Sequence, residues 1–188
     1  VLVGASFGGV VAHALAAGLT ARGVEVPRVV MLDAYHPHGY ADGERPPPGR
    51  ELPYVAALLA ASLRVSLPPE AAADLNVALL HLLRPYRRLV APDANVATLR
   101  EDLARAARWM REAEAHPACA TALPATDLTY FQAATRDAEN RNAARWSALH
   151  RRVEVIAAPG DHFAVIRDAA ALVEAVVPEL CALDRGVA

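Results

Sequence analysis

Residues 1–9, Val-Leu-Val-Gly-Ala-Ser-Phe-Gly-Gly, place Gly4-x-Ser6-x-Gly8 between a short apolar strand and an apolar helix. A serine at the tip of a strand-to-helix turn needs strained backbone angles. It also needs neighbours two residues away that lack side chains, because a Cβ there would collide across the turn. Gly4 and Gly8 meet that need, and Gly9 adds a small residue where the helix must lie close to the strand. In this setting the motif reads as a nucleophile elbow, which lifts the serine Oγ above the end of a sheet. The plainer reading is a glycine-rich turn with an incidental serine, and it is disfavoured by credible partners further along the chain.

The rest of the chain alternates strand and helix. Val10 to Leu19 is an almost wholly apolar helix, broken at Gly23. Val29 to Leu32 is a β-branched-rich run suited to a central parallel strand covered on both faces. Strand, helix and strand in so short a span form a βαβ unit and place the chain in the α/β class. Residues 36–53 carry too many prolines for regular structure. From about 54 to 120 the apolar period is helical. Leu75, Leu79, Leu82 and Leu83 share one face, and Leu99, Leu103, Ala106, Ala107 and Met110 another. Pro68-Pro69-Glu70 and Asp93-Ala94-Asn95 read as helix starts, which predicts three or four helices interrupting the sheet. Strands are expected again at Asp127–Ala133 and Val153–Ala157, with a final amphipathic helix over 164–182.

Composition narrows the function. A chain of 188 residues with 54% apolar content and a net charge of −2 can bury a core, and it offers no surface for nucleic acid. No apolar run is long enough to span a membrane. Cys119 and Cys181 lack metal-ligand spacing and read as ordinary thiols in a reducing compartment, so a cytoplasmic location is expected and no metal.

A serine hydroxyl becomes nucleophilic when a base takes its proton and a third group orients that base. His162, in Ala-Pro-Gly-Asp-His-Phe after the last expected strand, is the strongest base. His13 falls in the first helix, His81 and His116 in the helical stretch, and His150 before the last strand; His36 and His38 lie in the proline-rich loop. Two acids compete for the orienting role: Asp33, at the end of the Val29–Leu32 strand, and Asp137, after the Asp127–Ala133 strand. Asp161 adjoins the base and is expected to point elsewhere. Position alone leaves Asp33 and Asp137 equal.

Together, Gly4-Ala5-Ser6-Phe7-Gly8-Gly9, Leu32-Asp33-Ala34-Tyr35 and Pro159-Gly160-Asp161-His162-Phe163 resemble the thioesterase domains that end polyketide and nonribosomal peptide synthases. Those domains belong to the α/β-hydrolase superfamily. The resemblance covers nearly the whole chain, although the helical stretch matches in character only. It implies a mostly parallel sheet with flanking helices, in one domain over 1–188 with a helical lid inserted at 50–122. In that family the nucleophile strand follows several others. The chain is therefore expected to be an N-terminally truncated portion whose sheet is open at one edge and whose second oxyanion donor lies upstream.

In chain-releasing members the acid falls on Asp33; in stand-alone editing members it falls near Asp137. Leu-Asp-Ala-Tyr favours Asp33. The implied chemistry is attack by Ser6 on a thioester carried by the phosphopantetheine arm of an acyl or peptidyl carrier protein, with no bound cofactor. His162 acts as base, the Phe7 N–H as an oxyanion donor, and Tyr35 and His36 line the substrate. Release is by hydrolysis or cyclisation. The alternatives are a stand-alone editing thioesterase, a small-molecule esterase, or an inactive fragment of such a domain.

Overall fold

Four parallel strands form one sheet, each pairing with the next in chain order. The computed structural model describes residues 1–36, 49–134 and 141–160, together with His162, Val165, Val177, Pro178 and Cys181. His38, Asp137 and Asp161 lie outside the described residues. Of the expected last helix, Val165, Val177, Pro178 and Cys181 are described, and all four are helical.

The strands are β1 (Leu2–Ala5), β2 (Arg28–Leu32), β3 (Leu123–Ala133) and β4 (His150–Ala158). Helix α1 (Phe7–Thr20) joins β1 to β2, and the short α5 (Arg141–Ser147) lies between β3 and β4. Helix α1 ends where expected. Gly23 adopts φ 78°, and the N–H groups of Gly23 and Val24 turn back to the carbonyls of Thr20 and Leu19. The register pairs Ala5 with Leu32, Leu32 with Phe131, and Ala133 with Ala158, so the strands finish level with one another. On one face Val30, Leu32, Phe131, Ala133, Ala158 and Val165 form a buried cluster. On the opposite face α1 lies against the sheet at Gly9, close to Met31.

The chain divides into two compact units: residues 1–39 with 116–188, and residues 40–115. The second unit is helical, with α2 (Glu51–Leu63), a 3-10 turn (Pro69–Ala72), α3 (Leu75–Leu89) and α4 (Val96–Ala115). Its core uses the expected faces. Leu79, Leu82, Leu99, Leu103 and Ala107 are buried, with Leu75, Leu83, Ala106 and Met110 packed against them. Pro68-Pro69-Glu70 starts only the 3-10 turn. The following helix begins later, because the Asp74 carboxylate accepts the Asn76 N–H at 2.8 Å. Asn95 caps α4 in the same way through the Thr98 N–H. Tyr86 donates its hydroxyl to Asp102 at 2.7 Å, and burial followed by that carboxylate pushes the phenol up to about 12. His116 is a further correction. It belongs to the sheet unit, where it caps the 3-10 turn Pro117–Ala120 by accepting the Ala118 N–H.

His150 does not precede β4 but begins it. It is buried, with Nε2 at 3.2 Å from Nδ1 of the fully buried His13 on α1. Desolvation, reinforced by His150, lowers His13 from 6.5 to about 4, and burial lowers His150 as well. Both rings bind protons less readily folded than unfolded. Stability is therefore full above the unfolded value of 6.5 and falls as acid carries the protein from there towards about 4. Between pH 7 and pH 5 His13 alone is expected to cost about 2 kcal/mol, read as a falling midpoint of urea unfolding. A flat midpoint across that range would contradict a neutral buried pair.

Candidate active site

Ser6 stands between the last residue of β1 and the first of α1, at φ 50° and ψ −123°. This conformation is costly for a residue with a Cβ, and the surroundings hold it in place. The Ser6 N–H bonds the Leu32 carbonyl at 2.9 Å, which ties the turn to β2. The Ser6 carbonyl accepts the Gly9 N–H at 3.0 Å, starting the helix. A Cβ on Gly4 would strike the Gly8 carbonyl, so close approach forbids any side chain there. A Cβ on Gly9 would strike the Ala34 side chain. At Gly8, however, a Cβ would meet nothing within 4 Å. This corrects the sequence reading. The crowding across the turn falls on Gly4 and Gly9, and Gly8 contributes the backbone that Gly4 approaches.

Asp33 follows β2 directly and is also left-handed, at φ 46°. Its N–H bonds the Phe131 carbonyl at 2.7 Å, and its Oδ1 accepts the Ala133 N–H at 3.1 Å. The carboxylate is fully buried, and its second oxygen lies 2.8 Å from His162 Nδ1. A carboxylate only accepts, so Nδ1 carries the proton and Nε2 of the neutral ring is left with its lone pair. Nε2 lies 2.9 Å from Ser6 Oγ. The serine makes no side-chain cap to α1, which leaves its hydroxyl available to donate to that lone pair. Ser6, His162 and Asp33, which follow β1, β4 and β2, thus form one hydrogen-bonded line at the carboxyl ends of the sheet. Open α/β sheets place their sites at this edge.

The remaining expected residues fall around this line. Phe7 is the first residue of α1, where backbone N–H groups lack partners within the helix and the helix dipole is positive. Its side chain is exposed. The half-buried Tyr35 ring lies 5.4 Å from that of His162. His36 is buried, with its ring 4.5 Å from Trp146, so of the two it is Tyr35 that adjoins His162. Among the described residues no group of His, Cys, Asp and Glu is arranged to hold a metal ion, and no helix is long and apolar enough to cross a membrane. The sequence reading missed Trp146 and Tyr130, both fully buried beside the turn after Asp33. The signal available was a lone tryptophan in a short polar stretch and a tyrosine hydroxyl in a core strand, which needs a partner.

The family model of the thioesterase domain matches residues 1–180. The chain belongs to that family. Among solved structures this thioesterase domain resembles the wild-type Vlm2 thioesterase domain, with 20% identity and a TM-score of 0.59 over 90% of this chain and 63% of that one. It resembles the SrfTE domain, described for cyclization of the lipopeptide antibiotic surfactin, with 17% identity and a TM-score of 0.55 over 91% of this chain and 61% of that one. It also resembles the four-domain nonribosomal peptide synthetase AB3403, with 19% identity and a TM-score of 0.59 over 95% of this chain and 14% of that one. At such identities the likeness is one of fold, here the α/β-hydrolase fold. The chain spans 60–63% of the Vlm2 and SrfTE thioesterase-domain structures. A search of curated proteins gives no match.

Proposed function

We propose that this domain releases an acyl or peptidyl chain from the phosphopantetheine thioester of a carrier protein, through an acyl-enzyme on Ser6. The observation that carries the reading is the Ser6–His162–Asp33 line, at 2.9 and 2.8 Å. His162 Nε2 takes the Ser6 proton as Oγ attacks the thioester carbon, and Asp33 holds the imidazole and stabilises the imidazolium that forms. Negative charge develops on the carbonyl oxygen, and in this reading the Phe7 N–H at the start of α1 is one of its donors. The C–S bond then breaks, and His162 returns its proton to the departing pantetheine thiolate. Water, or a hydroxyl or amine within the chain, next attacks the Ser6 ester, with His162 again as base. In this reading the helical stretch inserted at 50–122 is the lid, and Tyr35 borders the acyl chain.

Family membership and the fold likeness to synthase thioesterase domains support the carrier-bound substrate. The test is covalent labelling with an alkyl fluorophosphonate, followed by assay on acyl-pantetheine thioesters. The parent chain is expected to take up one label and Ser6→Ala none. His162→Ala should label far more slowly while keeping the parent's unfolding curve. A label retained in Ser6→Ala would overturn the assignment. Labelling without turnover of any pantetheine thioester would leave a serine esterase instead.

A further inference from the structure

Ala34 follows the left-handed Asp33, and that turn carries its carbonyl off the sheet ladder. The residue is fully buried, so the oxygen must be paired within the protein. Two buried side chains reach it. The Tyr130 hydroxyl on β3 donates at 2.8 Å, and the Trp146 indole N–H on α5 at a longer 3.4 Å. Strand β3 therefore grips the Asp33 turn at three successive points: the Phe131 carbonyl on the Asp33 N–H, the Ala133 N–H on the Asp33 carboxylate, and the Tyr130 hydroxyl on the next carbonyl. The first two bonds hold Asp33 itself. The third fixes the direction in which the chain leaves it, and with it the twist of a residue at φ 46°.

We infer that Tyr130 is a positioning residue for the reaction: its hydroxyl, through the Ala34 carbonyl, holds the Asp33 carboxylate in line with His162. This rests on the catalytic reading of Ser6, His162 and Asp33. A loosened turn lets the carboxylate swing away from Nδ1, and small misplacements of a reacting group are costly in rate. A bond that only satisfies a buried carbonyl would affect stability and leave the rate per folded molecule unchanged.

The test is a double-mutant cycle on the rate constant for fluorophosphonate inactivation, with folded protein confirmed by near-ultraviolet circular dichroism. Tyr130→Phe keeps the ring in the core. It is expected to slow inactivation of the otherwise unaltered chain about 10- to 100-fold. In an Asp33→Asn background the same change is expected to have no further effect, because groups that act as a unit are not additive. An equal slowing in both backgrounds, or none in the unaltered chain, would overturn the role of Tyr130. If Asp33→Asn itself labels at the parent rate, it is the catalytic reading that fails. Trp146→Phe removes the second donor to the same carbonyl. Should Tyr130→Phe not fold, the cycle is run with Trp146→Phe, where a smaller slowing confined to the Asp33 background supports the inference and its absence overturns it.

Discussion

Asp33→Asn is expected to lower turnover of an acyl-pantetheine thioester about 10⁴-fold, in a protein that stays folded. The amide keeps the size of the carboxyl group, and its oxygen can still accept the Ala133 N–H. Its NH₂ group, however, would face His162 Nδ1, which lies 2.8 Å from the native oxygen. A donor there forces the ring into the other tautomer, with its proton on Nε2. That nitrogen then donates towards Ser6 Oγ and cannot take its proton. The imidazolium formed during attack also loses its counter-charge. The fold should survive, because the change removes a fully buried carboxylate without altering the packed volume. Steady-state kinetics beside a thermal melt checks both halves. Asp137→Asn, at the competing acid position, should keep parental activity. The reverse pattern would move the orienting role to Asp137.

The glycines of the elbow should separate sharply by stability. Gly4→Ala drives a methyl into the Gly8 carbonyl, and backbone has no rotamer with which to yield. Gly9→Ala drives one into the Ala34 side chain, with the Gly4 carbonyl and Met31 at 3.4 Å closing off escape. Overpacking of this kind costs about 3 kcal/mol or more, roughly 6–12 °C in Tm for a chain of this size. Each substitution should also cost most of the activity, since the strain relaxes through the Ser6 turn or the segment after Asp33. Gly8→Ala has open space and a helical backbone, where alanine is preferred. Its Tm should stay level or rise by a few degrees. Equal Tm losses at all three positions would show that the turn needs glycine for backbone freedom rather than for close approach.

The reach of the sequence followed the length scale of the forces involved. Short-range steric and periodic signals located α1, β2 and the apolar faces of α3 and α4 within a few residues. They also nominated Ser6 and His162, because turn glycines and strand ends are local features. Asp33 and Asp137 are equal on position, and only the resemblance of Leu32-Asp33-Ala34-Tyr35 favours Asp33. Boundaries failed where a polar or proline residue sits inside a strand. Pro124 lies in the stretch of β3 where the register with β4 shifts, and His150-Arg151-Arg152 opens β4 with polar side chains. Contacts between distant residues left no local mark. The His13–His150 pair and the Tyr130 and Trp146 bonds to Ala34 join positions 96 to 137 residues apart, and no periodicity encodes them. Gly8 misled for a related reason: the motif reports which residues approach one another, but not which of them is crowded.

The sheet is assembled from segments on either side of the helical unit in sequence, with Val29 of β2 pairing with Leu128 of β3. Helical contacts within residues 40–115 are local and form quickly, whereas strand pairing over such a separation is slow. Ser6 and His162 are 156 residues apart, with Asp33 near the first of them. A ribosome therefore delivers Ser6 and Asp33 before the helical unit and His162 after it. The Ser6 hydroxyl thus meets the His162 ring only once the segment beyond β4 has arrived, after the helical unit has had time to form.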